Sequence, residues 1–270
     1  EQLRFLAEKT AREEKLGLDV ALLGRNELRR AAPYLREDLI GAQLCPTEGK
    51  INPLLANSAL RDEAARRGVR FLAPDRVLRI ETAGAKLRAI AAKQVMIAGR
   101  IVLAAGPWSG DLARPLGVDL PADPRFLQMS ITESAPLLVE HLVQHAELPM
   151  TLKQLDGGQV VIGGGWPALY REGSPTVAVP CGSIVGGAAL AARLVPALAR
   201  LRIIRTWAGA TTTVDGQSVL GAPLSSPNVF FAIGGFAGYT LGPFIARLLA
   251  DHMMGRRPAE DIAPFSPDRF

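Results

Sequence analysis

The spacing of apolar residues predicts helices in the first part of the chain. In residues 1–38, leucine and alanine recur every three or four positions among charged residues, as on one face of a surface helix. Pro33 interrupts the second of these segments. Asn52 followed by Pro53 is typical of a helix start, and Gly68 after two arginines is typical of a helix end. The sequence therefore predicts surface helices up to residue 38 and a further helix over residues 53–67.

Short apolar runs predict β-strands in the next part of the chain. Residues 77–81, 87–92 and 95–98 have the length and composition of three strands in a meander. The run Ile-Val-Leu-Ala-Ala at 101–105 is apolar on both faces, which is typical of a buried parallel strand. Gly106 then allows a sharp turn, and we expect Ser109 or Asp111 to cap the helix that follows.

From residue 121 the pattern changes to longer strands. We predict strands over 126–132, 159–162 and 203–207, and an alanine- and leucine-rich helix over 187–200. The chain then continues into a strand over 228–233, a glycine-rich turn over 234–242 and a helix from Pro243 to Met254. These elements predict an α/β (α+β) fold with mixed sheets, in one large domain or two interleaved ones.

Composition excludes several classes of protein. With 48% hydrophobic and 21% charged residues, the 270-residue chain has enough apolar material for a buried core. The net charge of +5 comes from basic residues scattered among acidic ones, so we do not predict nucleic-acid binding. Residues 216–246 carry no charge, but prolines and glycines break this stretch, so we predict no transmembrane segment. Cys45 and Cys181 have neither metal nor redox spacing, which favours core thiols in a reducing compartment such as the cytoplasm.

The strongest candidate for chemistry is a strand, turn and helix with the sequence Phe230-Phe-Ala-Ile-Gly-Gly-Phe-Ala-Gly-Tyr-Thr-Leu-Gly-Pro243. Its glycines let backbone amides come close to a ligand, and the start of the helix adds unpaired N–H groups and a partial positive charge. Such a site suits the pyrimidine ring of a flavin, which gains negative charge at N1 and O2 on reduction. An ordinary glycine-rich connection is the alternative interpretation.

Seven motifs occur in an informative order: Gly49-Lys-Ile-Asn-Pro53, Ile101-Val-Leu-Ala-Ala-Gly-Pro-Trp-Ser109, Trp207-Ala-Gly209, Asp215-Gly216, Gly221, Gly234-Gly-Phe-Ala-Gly238 and Asp268-Arg-Phe270. Together they resemble the superfamily of FAD-dependent amine and amino-acid oxidases that includes glycine oxidase, sarcosine oxidase subunits and D-amino-acid dehydrogenases. The resemblance implies FAD as the cofactor and an FAD-binding domain interleaved with a mixed-sheet substrate domain. It assigns residues 1–48 and 121–214 to the substrate domain, and residues 49–120 and 215–270 to the FAD-binding domain.

The dinucleotide-binding fingerprint of this superfamily has no good counterpart in the chain. The nearest match is Gly163-Gly-Gly165-Trp-Pro-Ala168, but Pro167 and the lack of an acidic residue at the usual distance argue against it. We therefore expect the family's strand, phosphate loop and helix to belong ahead of Glu1. Without that unit, the sheet should expose an edge or an apolar face.

The resemblance implies a set of cofactor-binding residues and no metal ligands. Residues 234–240 match the flavin-contacting turn, a residue of the first meander strand lies near the adenine end, and the turn after the buried strand approaches the cofactor. The implied residues are Val77, Gly106, Trp108, Gly234, Gly235, Phe236, Ala237, Gly238, Tyr239 and Thr240.

The substrate is harder to predict. The resemblance implies two arginines that hold a carboxylate in glycine oxidase, but this chain has residues 210–214 and Ala237 at those places. A lysine found in some sarcosine-oxidising members is also missing from strand 159–163. The weaker candidates are Lys153, Tyr170, Arg205 and Tyr239, each of which is more typical of a surface charge or a core-edge aromatic ring. His141 and His145 have metal-compatible spacing, but without a third ligand an exposed helix is the better interpretation.

The resemblance implies oxidation of a C–N bond in a small amine or amino acid by hydride transfer to flavin N5. This reaction needs little acid–base catalysis by the protein, which agrees with the lack of a recognisable triad. One alternative is an electron-transferring flavoprotein subunit of a heteromeric dehydrogenase, which requires a partner subunit. Another is a truncated, non-catalytic remnant that binds no flavin. A homo-oligomer is compatible with each of these hypotheses.

Overall fold

The structure is a computed structural model that describes residues 1–171 and 176–270. Residues 172–175, which belong to the predicted substrate region, lie outside the described residues. The helices within the described ranges are α1 Gln2–Lys15, α2 Arg25–Ala31, α3 Pro53–Arg66, α4 Ser109–Ala113, α5 Cys181–Leu194 and α6 Gly238–Met253. The strands are β1 Ala21–Gly24, β2 Gly41–Leu44, β3 Val77–Ala83, β4 Lys86–Ala91, β5 Val95–Ala98, β6 Ile101–Leu103, β7 Asp123–Ser134, β8 Val143–Gln144, β9 Thr151–Gln154, β10 Gln159–Gly163, β11 Leu169–Tyr170, β12 Val177–Ala178, β13 Ile203–Thr213, β14 Val219–Gly221 and β15 Val229–Ile233.

The chain divides into two compact units, each made of two separate stretches of sequence. Unit 1 contains Glu1–Gly68 and Phe126–Gly209, and unit 2 contains Val69–Arg125 and Ala210–Phe270. The sequence analysis predicted changes of domain after residues 48, 120 and 214. The assignment of substrate and cofactor binding to particular segments stays a prediction.

Unit 1 is built on a five-stranded sheet with the order β13-β7-β10-β9-β8. Strands β7, β10, β9 and β8 pair antiparallel. One face of the sheet is apolar where Leu152, Val160 and Ile162 pack with Ala191 and Leu194 of α5. Burying these aliphatic side chains on one face is what fixes the register of the strands, because a shift of one residue would turn them to the other face.

A buried glutamine holds the loop that leaves β7. The Gln154 side chain is 2% exposed, and its Oε1 accepts hydrogen bonds from the amides of Leu138 and Val139 at 2.7 and 2.9 Å. Its Nε2 donates to the carbonyl oxygens of Pro136 and Gly158 at 2.9 and 2.8 Å. A buried amide is stable only when its donors and acceptors are paired, and this one is paired on both sides.

Unit 2 is built on a sheet with the order β14-β15-β6. Strand β15 lies in the middle, parallel to β6 and antiparallel to β14. Leu103 and Phe231 are paired across β6 and β15, and both are fully buried in the core of the unit. The antiparallel meander β3-β4-β5 contributes Ile80 and Leu87 to the same core. Helix α6 packs Ile245 and Leu248 in a smaller cluster.

The structure confirms the mixed α/β fold and most of the predicted elements. The meander, the strand at Ile101 and the last strand all form, and α3 has its predicted Asn52 cap, whose Oδ1 accepts from the amides of Leu54 and Leu55. The strand at Ile101 is not buried on both faces as predicted, because it ends its sheet and Val102 is 42% exposed. In the N-terminal region only helices were predicted. The structure adds the strand β1 between α1 and α2, paired with β2.

Two helices begin earlier than the sequence analysis predicted. Helix α6 begins at Gly238 rather than at Pro243, so the proline lies inside the helix, where its nitrogen cannot donate a hydrogen bond. Helix α5 covers Cys181–Leu194 rather than residues 187–200. A Cβ atom at Gly186, inside the helix, would lie 2.4 Å from the Trp166 ring, so the close packing of the indole requires glycine there.

Three further expectations were wrong. His141 and His145 do not share a helix, since β8 lies between them and His141 Nδ1 is hydrogen-bonded to the Tyr34 hydroxyl at 2.8 Å. Ser109 does not cap α4 but lies inside it, fully buried, and Asp111 makes no cap bond either, because the residue at the cap position is Trp108. The cysteines are not both core thiols, because Cys181 is exposed at the start of α5 and Cys45 is half-buried.

Candidate functional site

Two predicted glycine turns leave the sheet of unit 2 at the same edge, which is the one formed by the carboxyl ends of β6 and β15. Strands β6 and β15 are parallel, with Leu103 opposite Phe231. Gly106 comes three residues after Leu103, and Gly234 comes three residues after Phe231. The two turns therefore begin at the same level, beyond the carboxyl ends of neighbouring parallel strands. This edge is where open α/β sheets bind their ligands.

The turn after β15 is so tight that glycine is required at two positions. A Cβ atom at Gly234 would lie 2.5 Å from the Cα atom of Gly238. Gly235 has a φ of +62°, and its Cβ atom would lie 2.9 Å from the carbonyl oxygen of Gln217. The backbone thus folds back on itself here, with only hydrogen atoms at the points of contact. We call residues 234–240 the candidate flavin turn.

The candidate flavin turn leads directly into a long helix. A 3-10 turn at Gly235–Ala237 is followed by α6, and in the described part of the chain no side chain caps the helix at Ala237. Its first amides and the partial positive charge of the helix start are therefore available to an electron-rich group. The rings of Phe236 and Tyr239 are 64% and 48% exposed beside these amides. An amide-rich turn flanked by aromatic rings can hold a planar ligand that carries negative charge.

The turn after β6 brings a second group of residues to the same edge. Gly106 has a φ of +56°, and a Cβ atom there would lie 3.1 Å from the Thr212 hydroxyl oxygen. Trp108 is half-exposed. The hydroxyl group of Ser109 is fully buried and has no hydrogen-bond partner among the described residues. Sequence reasoning did not find Thr212, because its approach to Gly106 joins parts of the chain that are far apart in sequence.

Val77 is not brought to this edge by strand pairing. It begins β3 and pairs with Ala91 in the meander, which is a separate sheet of unit 2. Its side chain packs, half-buried, against the same core as Leu103 and Phe231. Of the predicted cofactor-binding residues, the structure therefore places Gly106, Trp108 and the candidate flavin turn along one sheet edge, and Val77 on a neighbouring sheet.

An ion pair joins the end of the chain to the segment before β14. Arg269 Nε and Nη2 donate to the two carboxylate oxygens of Asp215 at 2.8 and 3.0 Å, and Nη2 also donates to the Ser218 carbonyl at 2.9 Å. The Gln217 amide donates to Asp215 Oδ1 at 3.2 Å, which closes a turn at Gly216, where φ is +88°. The hydrogen bonds from Arg269, more than any other cause, lower the pKa of Asp215 to about 2.

Replacing Asp215 by asparagine should destabilise the fold at neutral pH but not in strong acid. The folded pKa of about 2 lies below the unfolded value of 3.8. Ionised Asp215 therefore stabilises the folded chain above the unfolded value, and this contribution is lost as the pH falls through the folded value. Because the pair is partly exposed and screened by solvent, we expect about 1 kcal/mol at pH 7. Urea unfolding of both proteins across this range measures it, and a difference that does not change with pH would contradict the prediction.

Two of the weaker candidates for substrate contacts, Lys153 and Tyr170, have structural partners in unit 1. Lys153 lies on β9, its Nζ donates to the Ile51 carbonyl at 3.0 Å, and burial lowers its pKa. Tyr170 stacks on Phe126 with ring centroids 4.8 Å apart. Arg205 lies on β13. Among the described residues we find no group of three or more His, Cys, Asp or Glu side chains placed to hold a metal. No helix in the same ranges is long and apolar enough to cross a membrane.

Comparison with known proteins agrees with this arrangement. The chain is 30% identical over 195 residues to glycine oxidase of Pseudomonas aeruginosa, which covers 72% of this chain and 50% of that protein. It is 27% identical over 260 residues to hydrogen cyanide synthase subunit HcnC of the same organism, covering 94% of this chain and 61% of that one. The chain thus spans less than two thirds of the length of either relative.

The comparison with solved structures and the match to a protein family agree with each other. The crystal structure of glycine oxidase from Geobacillus kaustophilus matches 98% of this chain and 71% of its own, with a TM-score of 0.90 at 24% identity, which shows a shared fold. Residues 1–252 match the protein family described as FAD dependent oxidoreductase, or DAO. This match confirms the predicted resemblance and FAD as the cofactor. The chain belongs to the DAO family of FAD-dependent oxidoreductases.

Proposed function

We propose that the candidate flavin turn binds the flavin ring of FAD, and that the chain forms part of an oxidoreductase that oxidises the C–N bond of a small amine or amino acid. The observation that carries the proposal is the tight passage of Gly234 over Gly238, which places uncapped amides at the start of α6 beyond the end of a central parallel strand. The match to the DAO family supports it.

The residues of this edge fit a flavin. The carbonyl oxygens of a flavin pyrimidine ring accept hydrogen bonds, and the amides of the candidate flavin turn are donors without a side-chain cap in the described part of the chain. The unpartnered Ser109 hydroxyl, buried beside the turn after β6, is a further donor in the same unit. Gly106, Trp108 and Val77 are proposed as further cofactor contacts on the strength of the family resemblance.

The protein's part in the reaction is electrostatic and steric. When bound, FAD supplies N5, the atom that accepts a hydride from the carbon beside the amine nitrogen. The amides of the candidate flavin turn and the positive end of α6 stabilise negative charge, and an array of fixed donors does so without reorganisation. The exposed rings of Phe236 and Tyr239 lie beside this array. No acid or base is needed from the candidate flavin turn, since a neutral amine gives up the hydride directly.

The visible absorption spectrum of the purified protein tests the proposal. We expect flavin absorption bands in the purified 270-residue chain or, where the gene encodes a longer form, in that form. Released cofactor identified by chromatography distinguishes FAD from FMN. A colourless protein in every form, after incubation with excess FAD, would contradict the proposal and favour the remnant that binds no flavin.

A second function is favoured by one specific feature. Ala237 stands where the resemblance implies a carboxylate-binding arginine, and one relative that covers 94% of the chain is named as a synthase subunit. A flavoprotein subunit that passes electrons to a partner is the corresponding hypothesis. Hydrogen peroxide formed with a panel of small amines and amino acids would favour an oxidase. Reduction of an artificial acceptor without peroxide would favour the subunit, and size-exclusion chromatography would show whether a second copy or a partner is bound.

A further inference from the structure

Arg269 differs from the other ion-pairing residues of the chain in its burial and in the number of its partners. Its side chain is 19% exposed, the lowest value for any cation in an ion pair within the described residues. By comparison, the side chains of Arg256 and Arg202 in their pairs are 60% and 84% exposed. Arg269 binds Asp215 through two nitrogens and also donates to the carbonyl oxygens of Ser218 and Ser266. We call this set of hydrogen bonds the C-terminal clamp.

The segment held by the C-terminal clamp lies directly against the candidate flavin turn. The Gln217 carbonyl oxygen would be 2.9 Å from a Cβ atom at Gly235, so the two backbones are in contact. Val219, two residues further on, pairs with Ile233, the residue that precedes the turn. Residues 215–219 therefore pack against the turn. The pairing of β14 with β15 fixes one end of this segment, and the hydrogen bonds from Arg269 fix the other end.

We propose that Arg269 is a positioning residue for the flavin-binding turn, acting through the segment Asp215–Ser218. The inference rests on the proposed function. Amides stabilise a developing charge only when they are held in place in advance, and a turn made of glycines has little stiffness of its own. A planar guanidinium with fixed donors orients a carboxylate and a carbonyl together, which a single ammonium group does less well. The stiffness of the candidate flavin turn thus comes from a residue that does not touch the ligand.

Substitution of Arg269 tests this role with two readouts that do not depend on enzyme activity. The first is the dissociation constant for FAD, measured by flavin fluorescence in the longest natural form of the protein that binds it. The second is the ¹⁵N heteronuclear NOE of the Gly235 and Gly238 amides in glycine-labelled, flavin-free protein. For Arg269→Met we expect roughly tenfold weaker FAD binding, typical of a lost positioning contact, and lower NOE values at both glycines.

Matched variants separate positioning from a general loss of stability. Arg256→Met removes an ion pair with Asp251 at the end of α6 and should leave both readouts unchanged. Arg269→Lys keeps the charge without the bidentate geometry and should recover part of the FAD affinity. If Arg269→Met does not fold, Asp215→Asn replaces it, because this change has nearly the same shape and removes only the charged acceptor.

The two proposals fail in distinguishable ways. If the wild-type protein binds no FAD, the proposed function is wrong, but the NOE values still report whether Arg269 holds the turn. If the wild-type protein binds FAD and Arg269→Met has the same affinity and the same NOE values, the positioning role is wrong and the proposed function stands. Equal losses in Arg269→Met and Arg256→Met would also overturn the positioning role.

Discussion

Gly234→Ala is expected to weaken FAD binding by about 100-fold, a factor as large as the one that a misplacement of about 1 Å costs in the rate of an enzymatic reaction. The added Cβ atom would lie 2.5 Å from the Cα atom of Gly238. The backbone of residue 234 fixes the position of the Cβ atom and the Cα atom is itself part of the backbone, so the clash is not relieved by rotating a side chain. The turn must open, and its amides then no longer converge on one ligand position. FAD affinity by fluorescence titration measures the effect.

Gly242→Ala is the matched control for this prediction. Gly242 lies in α6 a few residues beyond the turn, and a Cβ atom there would have no neighbour within 4 Å. Because alanine is a better helix former than glycine, this variant should keep its FAD affinity and unfold at the same or a slightly higher temperature. Unchanged FAD binding by Gly234→Ala would show that the ligand does not depend on the geometry of the turn.

The two parallel strands of unit 2 are predictable from the sequence because a run of consecutive apolar residues is a strong local signal. Strands β6 and β15 appear as unbroken apolar runs, each followed by glycine within three residues; nearly all of β15 is buried, whereas in β6 only Leu103 is. The helix α3 is predictable for another local reason, since Asn52 and Pro53 specify its start through their own backbone and side-chain chemistry. The candidate flavin turn was found because its glycines follow such a strand.

Features that depend on distant contacts were missed for a physical reason. The glycines inside α5 are explained only by the Trp166 ring that packs on them, and the histidine pair was separated by a strand too short to show a pattern. The contact between Arg269 and Asp215 spans 54 positions, and nothing local in either motif indicates it. The sequence could indicate the candidate flavin turn, but not the residues that pack against it.

Phe231→Ala is expected to destabilise the protein by about 3–5 kcal/mol, the usual cost of truncating a buried aromatic residue. Phe231 is fully buried in the middle strand of its sheet, paired with Leu103 on one side and with Gly221 on the other. The alanine variant leaves a cavity that three closely packed strands cannot fill. Urea unfolding followed by circular dichroism measures the loss.

Phe244→Ala is the matched control, because it removes the same aromatic ring from an exposed position instead of a buried one. Phe244 lies on α6, and its side chain is 46% exposed, so its truncation should cost less than about 1 kcal/mol. Comparable destabilisation by Phe231→Ala and Phe244→Ala would contradict a core centred on β15.

Because Gly234 follows Phe231 by three residues along the same backbone, we also expect Phe231→Ala to lower FAD affinity under conditions where the protein is still folded. The strand that anchors the core of unit 2 would then also set the position of the ligand-binding turn, so that packing and cofactor binding depend on the same residues.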